Sequence, residues 1–205
     1  MKPADSFKKM LVETIEPSLK SHGFSRRGYT FYILQRGNWG LINFQKSNKS
    51  SPKEFIFTVN LGVASALLLK FFQELGTKPD IWDCHWRLRL GYLLEEPGDR
   101  WWTITRDTSL DKLSQEMRNH ITKLAVTEVL RHLPDEALRD LWLSGKSPSL
   151  TNFERLRNLL VLLKILGPEN LFEATATEFL QTSTGKPTEI VAQLHIERLK
   201  DTNSI

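Results

Sequence analysis

Apolar positions along the chain change period twice, and each change marks a different kind of element. From Pro3 to His22, Phe7, Met10, Leu11, Ile15 and Leu19 recur at the spacing of one helical face. Pro17 falls inside that pattern and predicts a kink or split, because proline lacks an amide donor and crowds the preceding turn. His22-Gly23 supplies the stop. Alternation then takes over. "YTFYILQR" (29–36) and "WGLINFQKS" (39–47) read as strands joined at Gly37-Asn38, and "FIFTVNLGV" (55–63) is the clearest strand in the sequence. "ASALLLKFFQELG" (64–76) predicts a helix, and "WRLRLGYL" and "WWTITR" complete about five strands. Short links between them favour an antiparallel sheet.

Beyond Thr108 the period is helical throughout. Leu110, Leu113, Met117, Ile121, Leu124 and Val129/Leu130 form one stripe of a helix from about Ser109 to His132. Pro134 opens a second helix, which Ser144-Gly145 ends. Thr151-x-x-Glu154 fits a capping box for a third, closed by Gly167 and apolar on most sides, so it belongs between neighbours. Pro168-Glu169 starts a fourth and Pro187 a fifth. The expectation is an α+β fold: a sheet domain over residues 1–133, packed by helices, and a helical extension over 134–205 that shares its core or stands beside it.

Composition narrows the class. Of the 205 residues 40% are hydrophobic and 25% charged, ordinary values for a globular chain. The N-terminus has no continuous apolar stretch of signal-peptide type, and "LLVLLKILG" is too short to span a bilayer. With a single cysteine no internal disulfide can form, so the cytoplasm is the expected compartment and no membrane partner is expected. The formal charge of +4 is unevenly spread: 16 of 28 Lys+Arg against 11 of 24 Asp+Glu lie at or before Asp107, with 16 of the 20 aromatics. A basic, aromatic half is one signature of nucleic-acid binding, though aromatics also favour strands for packing reasons alone.

Candidate chemistry concentrates in "DCHWRLRLG" (83–91). Strand alternation would point Cys84 and His85 to opposite sides, which defeats a thiol–base dyad. It groups Cys84 with Trp86, Leu88 and Leu90 on an apolar face. Asp83, His85, Arg87 and Arg89 then share the other. With Gln45 and Asn60 on neighbouring strands, His85, Arg87 and Arg89 make a candidate polar binding face, joined by Asn43 and Thr58. Such a face is solvated, meets carboxylates inside the fold, ties sheet to helix, or holds an anion.

No catalytic, cofactor-binding or metal motif emerges. Zinc needs clustered Cys/His ligands. Gly145-Lys146-Ser147 resembles the end of a P-loop, but Asp140 stands where that loop requires glycine. His195-Ile-Glu197 lacks the cysteine half of a deaminase signature and reads as surface. "EEPGD" (95–99) reads as a solvated turn.

The ordered series "INFQKS", "FIFTVNLGV", "CHWRLRLG" and "DRWW", preceded by a helix and "HGFSRRGYTFY", resembles the bacterial family of domain of unknown function 4304 over roughly residues 5–130. Gln45, Asn60, Arg87, Arg89 and Trp101-Trp102 match its recurrent motifs. The resemblance implies a bacterial intracellular α/β domain and brings no established activity. Three functions stay open. The favoured one is a non-catalytic protein-binding module, immunity-like, without cofactor. The others are a nucleic-acid binder using Arg26, Arg27, Arg87 and Arg89, and an enzyme acting on an anionic small molecule.

Overall fold

The computed structural model describes residues 1–73 and 78–201. Its first helix, α1, runs Pro3–Met10, passes through a π-helical turn at Leu11–Ile15 and continues as Glu16–Lys20. The Glu16 amide reaches back five residues to the Leu11 carbonyl, and the widened turn ends beside Pro17. That turn is how the helix absorbs the proline that its sequence carries.

Six strands follow in one antiparallel sheet: β1 (Ser25–Arg27), β2 (Thr30–Gln35), β3 (Asn38–Lys46), β4 (Phe55–Ala64), β5 (Trp86–Arg89) and β6 (Trp102–Ile104). Their order is β1-β2-β3-β4-β5, and β6 pairs with β4 as well. β5 takes Asn60–Val63 of β4, and β6 takes Phe55–Phe57. The strand beyond the expected set is β1, three exposed residues with no apolar alternation to announce them. The hairpin between β2 and β3 turns at Arg36-Gly37, with φ of 53° and 85°, one residue before the expected Gly37-Asn38. Two positive φ values make it a type I′ turn, whose twist suits a two-residue hairpin. Asn38 instead opens β3, donating to the Leu133 carbonyl (2.9 Å) and accepting from the Ala66 amide (2.8 Å).

The helices after β4 are α2 (Ala66–Phe71); α3 (Leu110–His120, a π turn at Ile121–Ala125, then Val126–His132); α4 (Asp135–Leu143); α5 (Asn152–Leu166); α6 (Glu169–Ser183); and α7 (Glu189–Lys200). Of the helix expected over 64–76, residues 74–76 lie outside the described residues, as do 202–205 of the extension. The capping box on α5 is formed, with Thr151 Oγ1 accepting from the Glu154 amide and Glu154 accepting from the Thr151 amide. Leu156 and Leu159 to Leu163 are all buried, as an apolar surround requires.

One face of the sheet carries Phe55, Phe57, Val59, Leu61 and Val63, buried with α1 and α3. Phe7 stacks on Phe55 at 4.3 Å, and Trp86 stacks on His132 at 4.4 Å. The same apolar cluster continues through Leu138, Trp142, Leu160 and Phe179 to Leu199, so one core runs from the sheet into the extension. The other face holds a smaller cluster of Tyr32, Leu41, Ala64, Leu69, Ile81 and Cys84.

Candidate functional site

Residues opposite one another in an antiparallel sheet share a face. The register aligns Thr30 with Asn43, Asn43 with Asn60 and Asn60 with Arg89, a polar row across four strands. Asn43 donates to Thr30 Oγ1 (2.8 Å), and Asn60 donates to Gln45 Oε1 (2.9 Å) and Asn43 Oδ1 (3.3 Å). The amides on this face therefore bind one another, and Gln45 serves the row. Thr58 donates instead to the Arg100 carbonyl (2.8 Å).

At the β5 edge the row opens into a cleft of about 310 Å³ lined by Asn60, Arg87, Leu88 and Arg89, with Trp82, Tyr92 and Asp99 around it and Pro148-Ser149 from the extension. The two arginines differ. Arg89 is ion-paired to Asp99 and lies 5.3 Å from the Trp101 ring centre, while Asp99 also accepts from the Trp101 indole (3.3 Å). Its carboxylate comes from the "EEPGD" turn, which therefore is part of the site. Arg87 has no carboxylate partner among the described residues. Its guanidinium donates to the carbonyls of Trp82 (3.3 Å) and Ser149 (3.4 Å) and lies 5.6 Å from the Trp82 ring centre. Trp82 itself is 67% exposed.

Two sequence expectations for this region are corrected. Cys84 is buried, but on the Arg87 side of the sheet and not with Trp86 and Leu88. A side chain on Gly62, which faces Arg87 in register, would meet Cys84 Sγ at 2.6 Å and Ile81 at 2.7 Å. β5 begins only at Trp86, and Ile81–Asp83 is a 3-10 turn capped by Asp80, so strand alternation does not extend back to Cys84. His85 likewise leaves the polar row. It is 7% exposed, with Nδ1 accepting from the Ser65 amide (3.1 Å).

Electrostatics set both groups apart from catalysis by a thiol–imidazole pair. Burial drives the Cys84 thiol far above its ordinary range, so it stays protonated. Burial first, and then the nearby Arg157 and Arg87 charges, push His85 down to about 4. His85 is thus a neutral ring at pH 7 and adds no third cation to the face. Because Nδ1 accepts a bond, the proton of the neutral ring sits on Nε2.

His85, Cys84, Asp83 and Arg87 line a second, smaller cleft of about 200 Å³ with Glu154, Arg157 and Asn158 from α5. His195, expected at the surface, is buried, with its Nε2 bonded to the Arg157 carbonyl (2.9 Å) and its ring stacked on Phe72. Among the described residues no three His, Cys, Asp or Glu side chains are placed to hold a metal, and no helix is long and apolar enough to cross a membrane. A third cleft, of about 450 Å³ between α1 and the start of α3, is lined by solvated side chains such as Lys9, Glu13, Gln115 and Arg118.

Trp82, Tyr92, Asp99 and Asn158 were not among the residues that the sequence pattern singles out. Trp82 carries a signal in hindsight, a large aromatic in a polar turn between Asp80 and Asp83; Asn158, inside an apolar helix, carries none. The arginines of the nucleic-acid reading are not brought together. Arg26 lies on β1, paired to Glu16 (3.1 Å), at the opposite edge of the sheet from β5. Four strand spacings, about 19 Å, separate the two edges.

No curated protein and no solved structure matches the chain. The model of the family described as Domain of unknown function (DUF4304) matches residues 15–141, more than half of the sequence and including both arginines, the amide row and the aromatic turn, and the chain belongs to that family.

Proposed function

We propose that this chain is a non-catalytic binding module whose β5 cleft takes an acidic segment of a partner protein. The observation that carries the reading is Arg87: a half-buried guanidinium without a carboxylate among the described residues, laid against an exposed tryptophan at the mouth of a cleft. Arginine beside Trp and Tyr is the composition of interface hot spots, and its planar fork grips a carboxylate with two parallel bonds. The protonated thiol and the neutral, hydrogen-bonded imidazole further favour binding over covalent chemistry. In a bacterial cytoplasm such a module suits an immunity-type role, holding the acidic surface of a toxin, and it needs no cofactor.

Affinity capture from the native cells with the wild-type chain, Trp82→Ala and Arg87→Lys is the test. The wild type is expected to retain a protein with an acidic binding surface, and each variant to lose it by about ten-fold or more, roughly 1.4 kcal/mol. Equal capture by all three chains would refute the reading. Binding of single-stranded DNA that falls steeply with salt would replace it with the nucleic-acid reading.

A further inference from the structure

The smaller cleft beside His85 has a feature that the outer one lacks. Two polar side chains lining it, His85 and Asn158, are each only 7% exposed. The Asn158 carboxamide has no hydrogen-bond partner among the described residues, and neither does His85 Nε2, since Ser65 engages only Nδ1. Buried amides and imidazoles are almost always satisfied, so a pair left open toward one cleft implies water or a ligand there. Arg87 borders the same cleft with its charge unmatched, whereas the two acids on the rim are committed. Asp83 accepts from the Asp80 amide (2.7 Å), and Glu154 caps α5 through Thr151.

We infer that this inner cleft is a carboxylate-binding site, in which Arg87, the His85 Nε2–H and the Asn158 amide donate to the two oxygens of one carboxylate. The donor set points to that chemistry. Two guanidinia, Arg87 and Arg157, lie on the lining with two acids, Asp83 and Glu154, while the His85 and Asn158 donors are neutral, so the balanced charge suits a monoanionic carboxylate better than a dianionic phosphate. A cleft of about 200 Å³ admits a small acid or one acidic side chain. The carboxylate belongs either to a free small acid or to an Asp, Glu or chain terminus presented by a protein. The inference does not rest on the partner reading, because it concerns the inner cleft and holds whether or not anything covers the outer one. Four of the ten residues that line the cleft, Asn158 among them, lie beyond 141, so the extension completes it.

The experiment is NMR titration of the full chain with sodium acetate, with a capped tripeptide amide carrying one glutamate, and with inorganic phosphate. The readouts are the His85 ring and Asn158 side-chain amide signals, assigned by His85→Gln and Asn158→Asp. A saturable shift of both signals with acetate, with the peptide or with both is expected, and phosphate should bind at least about ten-fold more weakly than the better carboxylate. Acetate alone would identify a free acid as the source, and the peptide alone a partner side chain. Arg87→Gln should weaken the shift at least about ten-fold, and Asn158→Asp, which keeps the side-chain shape but places a charge in the cleft, should abolish it. If neither carboxylate shifts the two signals saturably, or if phosphate binds as tightly, the inference is wrong. Tyr92→Ala, at a residue that lines the outer cleft and not the inner one, should leave the titration intact, which separates this outcome from loss of the partner at the outer cleft.

Discussion

Protonating an imidazole that its surroundings cannot solvate costs stability, and three histidines here are placed that way. His85 and His195 are pushed down to about 4, chiefly by burial and then by neighbouring arginines, and His132, against Trp86, is lowered as well. The groups that face His85 are Arg87, Arg157, Asp83 and Glu154; His195 faces Arg157 and Arg198 across Phe71 and Phe72. Below the ordinary histidine value of about 6.5 the unfolded chain binds protons that the native chain refuses. Their contribution is therefore complete above about pH 6.5 and is lost as pH falls toward 4, at about 1.4 kcal/mol per unit of separation for each ring. Urea unfolding at pH 7, 6 and 5 should show stability falling over that window, before most carboxylates titrate. A flat profile would mean that these rings are solvated. At this scale the sequence was readable for Arg87, Arg89, Asn60 and Gln45, because register in a regular strand follows from alternation. It was not readable for Cys84 and His85, because they precede the strand, nor for Asn158, whose meaning depends on what a distant turn brings against it.

Between elements, one close fit is at Gly62, where the 3-10 turn Ile81–Asp83 and Cys84 lie directly on β4. A methyl group there must displace Cys84 Sγ and the Ile81 side chain. Gly62→Ala should cost about 1–3 kcal/mol, the usual penalty for overpacking. It should also open Cys84 to thiol reagents in the native protein, where the buried wild-type thiol is expected to react slowly. Unchanged urea stability together with slow labelling would show that the turn can lift away freely. The elements themselves were largely legible, since helical stripes and strand alternation report which face is buried. The π turns at Leu11–Ile15 and Ile121–Ala125 were not: each inserts extra chain into a helix while leaving buried residues on the same side. Pro17 was the one local hint.

For the whole molecule, the sheet has two faces with different dependence on the extension. α1 and α3 cover the Phe55–Val63 face, Phe71 and Phe72 pack in that same core under Arg157, His195 and Arg198, and Arg87 on the other face takes contacts from Ser149. Truncation at Pro134 should therefore leave β2–β4 folded and protected from amide exchange while residues 66–72 and 81–87 lose protection and the carboxylate response disappears. A fully unfolded truncation product, by circular dichroism, would mean that the extension is indispensable to the core as a whole. Sequence pattern could separate a mixed half from a helical half. It could not reveal that their apolar surfaces join, because packing between helices leaves no fixed spacing in the chain.

The bond from Arg198 to the Phe71 carbonyl (2.7 Å) links residues 127 apart, and the Arg198 guanidinium also lies 4.3 Å from the Phe71 ring centre. A ribosome adds roughly 5–20 residues per second, so this latch cannot close until roughly 6–25 s after Phe71 has been synthesised. Through that interval the Phe71-Phe72 pair has none of its α7 cover, neither His195 nor Arg198 having yet been made. Translation thus sets a lower limit on how long this aromatic pair waits for its C-terminal cover.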